Sequence, residues 1–82
     1  MTNPANQYSG DSRDHQIQSV EDNGDFIVLE DGSRWQIYEG FVARTRNWQV
    51  GEMITVIENR DELFPYRLIN VHKNESVEVK LQ

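Results

Sequence analysis

The chain has 82 residues, a net charge of −6 and a pI near 4.7, so it is read as one small acidic domain with a limited core. It has no cysteine, which excludes disulfides, thiolate metal sites and a cysteine nucleophile. An acidic balance argues against generic binding to nucleic acid or anionic lipid, and no apolar run approaches the ~20 residues that span a membrane.

Residues 1–14 are polar, carry Asn3-Pro4 and Ser9-Gly10, and show no periodicity, so a disordered tail is expected. Tyr8 is its only large apolar residue and is expected to be unanchored. No charged leader with an apolar stretch behind it is visible, so a cytoplasmic location is expected, or export if the chain is a trimmed mature form.

Residues 15–82 form the expected domain. His15 to Glu21 reads as a strand in which Ile17 and Val20 have opposite parity; a bulge between them brings both to the core. Asn23-Gly24 is a two-residue hairpin turn that sets Val20 opposite Ile27 and Glu21 opposite Phe26. Asp25 to Leu29 and Arg34 to Tyr38 are the second and third strands.

The Asp31-Gly32 turn between them permits two registers, and a one-residue slip moves a strand's whole apolar set to the other face. The apolar face Val20–Ile27–Leu29 favours a three-residue loop with Gly32 as a left-handed bulge residue. Ile27 then faces Trp35, and Trp35 and Ile37 join the core.

Glu39 to Gln49 is the least regular stretch; Gly40-Phe41-Val42-Ala43 fits a short strand or one helical turn. Met53 to Glu58 is apolar on both parities, which predicts a strand buried on both faces. Asn59 to Pro65 is a charged loop closed by proline. Tyr66 to Val71 and Ser76 to Leu81 form a last hairpin; a Lys73-Asn74 turn places Leu68 opposite Val79, Tyr66 opposite Leu81 and Asn70 opposite Val77. A buried Asn70 needs a partner and is expected to tie down backbone at the end of the barrel.

Short strands, tight turns and no long helical period predict an all-β fold, a small antiparallel barrel of five to six strands, SH3-like or, second, OB-like.

The pattern Ile17-x-x-Val20, Leu29-x-Asp31-Gly32-Ser33-x-Trp35-x-Ile37, Trp48-x-x-Gly51-Glu52-x-Ile54-x-Val56, Tyr66-x-Leu68-Ile69-Asn70, Val77-x-Val79-x-Leu81 resembles small bacterial β-domain proteins of no assigned function, some of which carry export signals. The resemblance spans about residues 15–82 and rests on structural positions. It implies the fold and a bacterial source, leaves export open, and implies no catalytic residue.

For chemistry, His15 and His72 are the only histidines, and two solvated rings explain them better than a metal site. Asp22-Asn23-Gly24-Asp25 lacks calcium-loop spacing and is explained as a turn. The run Glu58-Asn59-Arg60-Asp61-Glu62 reads as a solvated loop. No nucleophile has an evident base, so no enzyme, cofactor or metal is expected.

The distinctive stretch is residues 34–48, where Arg34, Arg44 and Arg46 outnumber the single Glu39 and lie beside Trp35 and Trp48. Arginine next to aromatic rings suits protein interfaces and base stacking. The expected function is a non-catalytic interaction or accessory module that binds another protein through Arg34, Arg44, Arg46, Asn47 and Trp48. The alternative is a nucleic-acid-binding barrel using the same patch. No oligomeric state is implied.

Overall fold

The structure, a computed structural model, describes residues 8–82. Six strands form it: β1 (His15–Glu21), β2 (Phe26–Leu29), β3 (Arg34–Ile37), β4 (Met53–Glu58), β5 (Tyr66–Asn70) and β6 (Glu75–Leu81). They pair antiparallel in the order β1-β2-β3-β6-β5-β4, and β4 returns to β1, closing the barrel. The chain is thus two three-strand meanders, joined by a connection that holds a 3₁₀ turn (Glu39–Phe41) and one short helix, α1 (Val42–Thr45). Of the two options for Gly40 to Ala43, the helical one holds.

The turns set the register. Asp22, Asn23 and Gly24 all have positive φ, 51°, 60° and 99°, and the Asp25 N–H donates to the Asp22 carbonyl at 3.2 Å, so the expected two-residue turn is a four-residue one, 22–25, that keeps the expected register. Val20 pairs with Ile27 and Glu21 with Phe26. At the next turn Gly32 has φ +87° and its N–H donates to the Leu29 carbonyl, while Leu29 N–H reaches Ser33. Ile27 therefore faces Trp35, as the three-residue loop requires. The β1 register shifts between Ile17 and Ser19, so Gln18 is the extra residue and Ile17 turns inward opposite Leu29.

Inward-facing side chains fill the barrel: Ile17, Ile27, Leu29, Trp35, Ile37, Ile54, Val56, Leu68, Val77 and Val79 are all buried, with Trp48 at one end.

Two expectations change. β4 is not buried on both faces: Ile54 and Val56 point in, while Ile57 is 39% exposed. A single closed sheet has one interior, and among the described residues no second sheet packs on its outside. The last hairpin is two residues out of the expected register, with Leu68 opposite Val77, Tyr66 opposite Val79 and Asn70 opposite Glu75. Asn70 Oδ1 accepts the Lys73 N–H at 3.0 Å, which ends β5 at Asn70 and lengthens the turn. A two-residue shift preserves every side chain's face, so the predicted core survives it.

The tail also departs from expectation. Residues 1–7 lie outside the described residues, but residues 8–14 sit on the barrel. The β1–β4 seam has only two pairs, His15–Ile54 and Gln16–Met53. Beyond it the Val56 N–H donates to the Ser12 carbonyl at 2.7 Å, and Tyr8 packs against the core. Aromatic contact and an otherwise open strand edge supply what composition did not register.

Candidate functional site

The sequence-predicted patch is divided by the fold. Arg34 lies on the outside of β3, its guanidinium 3.7 Å from the Phe26 ring centroid and its Nε 2.9 Å from Glu21. Arg44, on α1, stands over Phe41 at 4.8 Å and donates to the Ser76 carbonyl at 2.8 Å. Arg46 and Asn47 are exposed just after the helix; Asn47 reaches back to the Ala43 carbonyl. Trp48 is buried at 3% exposure, and its indole N–H donates to Glu75. It supports the segment from beneath, and its ring offers no surface to a partner.

Helix α1 owes its place to two residues. Thr45 is fully buried, and its hydroxyl donates to the Gly24 carbonyl at 2.6 Å. Gly24 is itself buried, because a Cβ there would lie 2.7 Å from the Arg46 backbone nitrogen. The Asn-Gly turn thus serves twice, as a hairpin and as the seat for the helix.

Between β2, β3 and the 59–65 loop runs an open groove of about 460 Å³, lined by Asp25, Phe26, Gln36, Tyr38, Glu39 and Phe64. Tyr38 packs on Phe64 and Phe41, with centroids 5.0 and 5.9 Å apart, and Lys80 lies 5.8 Å from Phe64. Asp61 holds the loop by accepting the N–H groups of Leu63 and Phe64, and Asn59 Nδ2 donates to the Phe64 carbonyl. Alternation along β2 with the inward Ile27 puts Phe26 on this outer face; nothing local in the sequence puts Tyr38 and Phe64 together, because the 59–65 loop brings them into contact across long separation.

A second cluster occupies the barrel end by the Asp31-Gly32 turn. His15 is buried at 4% exposure. Its Nδ1 lies 3.0 and 3.1 Å from the Glu30 carboxylate oxygens, and its Nε2 lies 2.5 Å from the Asp11 carbonyl and 3.0 Å from the Tyr8 hydroxyl. Tyr8 donates to Asp31 at 2.5 Å, its backbone N–H donates to the Tyr66 hydroxyl, and its ring meets Trp35 edge-on at 5.0 Å.

Burial alone lowers the proton affinity of His15. The Asp11 carbonyl, the Glu30 contact and the charges of Glu30 and Asp31 outweigh it, leaving the imidazole above its ordinary range. Burial and the bond to Asp31 hold the Tyr8 phenol well above its ordinary range. For Asp31 burial works upward, but hydrogen bonds from Ser33 and Tyr8 and the neighbouring His15 leave it below the usual carboxylate range.

His72, by contrast, is exposed in the turn after β5. Among the described residues no group of three or more His, Cys, Asp or Glu side chains could hold a metal ion, and no helix is long and apolar enough to cross a membrane. Compared with protein-family models, curated proteins and solved structures, the chain matches none.

Proposed function

We propose that the protein is a non-catalytic interaction module that binds another protein through its outer aromatic face, Phe26, Tyr38 and Phe64, with Arg34 on the Phe26 ring, Arg44 beside it on Phe41, which itself packs on the core, and Arg46 and Asn47 at the rim. One observation carries the reading: a row of partly exposed aromatic rings with arginines stacked on it, outside a barrel whose core is already filled. A closed barrel gains nothing from aromatic residues on its wet side, whereas aromatic and arginine side chains are the anchors of protein interfaces. Closure also leaves a partner chiefly the outer face to grip, since the one short open edge, β4 beyond Ile54, is covered by residues 8–14. Kinship with SH3-like or OB-like barrels and a bacterial source belong to the same proposal, supported by the small closed antiparallel barrel and the residue pattern.

The test is capture of partners from the source cell by the wild type, by Tyr38→Ser/Phe64→Ser and by Arg44→Ala/Arg46→Ala. Both variants should stay folded, since exposed arginines contribute little to stability, and both should lose the partner. Retention of the partner by both variants would sink the reading. Nucleic acid is the second reading, favoured by the arginine–aromatic stacking. It requires binding of single-stranded DNA at low salt that falls steeply as salt rises.

A further inference from the structure

We infer that residues 8–14 form a strap, latched by the protonated His15 side chain, over a second interaction surface: the Trp35–Tyr66 end of the barrel together with the β4 edge at Val56. This surface fits a bent segment that bears a tyrosine and offers one carbonyl to the β4 edge, which is what the strap itself presents.

The strap is lightly held. Gly10, Asp11, Ser12, Arg13 and Asp14 are all exposed, and only Tyr8 is half-buried. Asp14 has φ +65°, a left-handed hinge where the strap joins β1. Segments with few buried contacts open at lower free energy than the core they cover. Beneath the strap lie groups that a bare barrel end would leave unsatisfied. The Val56 N–H has the Ser12 carbonyl as its acceptor, Trp35 is fully buried under the Tyr8 ring, and the Tyr66 hydroxyl accepts the Tyr8 N–H. An unpaired strand edge beside two aromatic rings is a site for strand addition, with a side-chain pocket for specificity. Asp31 as acceptor for a phenol, and Trp35 and Tyr66 as edge-on ring partners, make that pocket selective for tyrosine over phenylalanine.

The latch follows from the two faces of one imidazole. Nδ1 faces Glu30, with Asp31 at 4.0 Å; Nε2 faces the Asp11 carbonyl, which only accepts. Both nitrogens can donate only in the imidazolium. The groups facing the ring are Tyr8 and Asp11 from the strap and Glu30 and Asp31 from the β2–β3 turn. Arg13 and Asp14 line the same cleft, and Ile54, paired with His15 from β4, brings no titratable group. A neutral ring gives up one of its two contacts: with the proton on Nδ1 the Asp11 carbonyl loses the ring as donor, and with it on Nε2 Glu30 keeps only the Gln16 N–H at 3.0 Å.

The folded proton affinity is raised, so the latch is fully present below the ordinary histidine range and is lost as pH rises through the folded value. The strap opens in base.

Amide exchange of the full chain, followed by NMR, tests this. Protection at Val56 should fall relative to the amides of β5 as pH rises from the ordinary histidine value to the raised folded value of His15, by at most about tenfold per pH unit, and should level off above it. In His15→Phe, Val56 should be unprotected at every pH. If Val56 protection is indifferent to His15 titration in the wild type, the latch is wrong, whether or not His15→Phe folds. The surface is tested with Tyr8→Ala in the full chain, above the His15 titration, where the strap is open and leaves the surface free. A peptide of sequence Tyr-Ser-Gly-Asp-Ser-Arg-Asp, at about the millimolar effective concentration of a short tether, should shift the Trp35 and Tyr66 resonances. The same peptide beginning with Phe should shift them less. Unmoved Trp35 and Tyr66 resonances would remove the surface, and equal binding of the two peptides would remove its tyrosine selectivity.

Discussion

The two ends of the barrel are closed by different means. At one end the connection after β3 folds back, so that α1 and Trp48 plug the opening, with Thr45 bonded to Gly24 and Trp48 to Glu75. At the other end a segment preceding β1 lies across the opening and is fastened by Tyr8 and His15. The plug is pinned by strands on both sides of it in the chain, and its ring is buried. Among the described residues the strap continues into a strand on one side, β1, and its fasteners are polar groups that titrate. A plug belongs to the cooperative core, whereas a strap has its own opening equilibrium. Where the molecule puts a charge-dependent lock, it puts it on the element that can leave without unfolding the rest.

The comparison breaks most readily at the tryptophans. Trp48→Ala and Trp35→Ala each remove a fully packed indole and should each cost about 3–5 kcal/mol, read from urea denaturation. For a domain this small that approaches total stability. The two variants should differ in kind. Trp35→Ala also removes the platform under Tyr8, so it should abolish Val56 protection. Trp48→Ala, where it still folds, should leave the strap in place. Loss of Val56 protection out of proportion to global stability in Trp48→Ala would show that the two ends are one unit.

A smaller effect is expected from Gly24→Ala. An L-residue at φ +99° is strained by about 1–2 kcal/mol, and the new Cβ would sit 2.7 Å from the Arg46 backbone nitrogen. That contact is with backbone, so the helix must shift rather than a side chain swing aside. Gly32→Ala serves as the control: its φ is +87°, but a Cβ there meets nothing within 4 Å. The excess cost of Gly24→Ala over Gly32→Ala, measured as a difference in Tm, isolates the seating of the plug.

What could be read in advance follows the range of the interactions. The Asn-Gly and Asp-Gly turns act locally, so the first meander, its register and the β1 bulge were legible from residues 15–38. The fold class followed, because short strands with tight turns have few ways to hide their edges. The last hairpin slipped because Asn70 ends its strand with a side-chain bond to Lys73, which competes with the turn that Lys73-Asn74 suggests. The expectation of an unanchored Tyr8 fails because composition registers how much apolar surface a segment carries, and not that one ring meets Trp35 and Tyr66. The arginine patch was legible as a run of charges, but Trp48, adjacent in sequence, faces inward. The Tyr38–Phe64 contact joins two loops far apart in the chain, and nothing local announces it.

The smallest effect contrasts the ends by pH. At the plug end Glu52 accepts the Gln49 N–H and the buried Asn70 amide, at 2.8 and 2.9 Å, and lies 3.4 Å from Lys73. Burial works to raise its carboxyl, but these bonds and the Lys73 charge outweigh it and leave it below the usual range. A depressed carboxylate contributes stability above its unfolded pKa and loses it as pH falls through the folded value. Glu52→Gln keeps one acceptor oxygen and loses the ion pair, so at neutral pH it should cost about 1 kcal/mol or less. Its stability should fall less steeply in acid than that of the wild type, and the two should converge there. Asp31, also depressed, keeps part of the acid dependence at the strap end. In base the expectation reverses: His15 governs, Glu52 is ionised throughout, and Glu52→Gln should lose strap protection in parallel with the wild type. Urea denaturation across pH reads the first limb and Val56 exchange the second. A change in the alkaline limb on mutating Glu52 would mean that the ends are coupled, because sites without shared partners contribute additively.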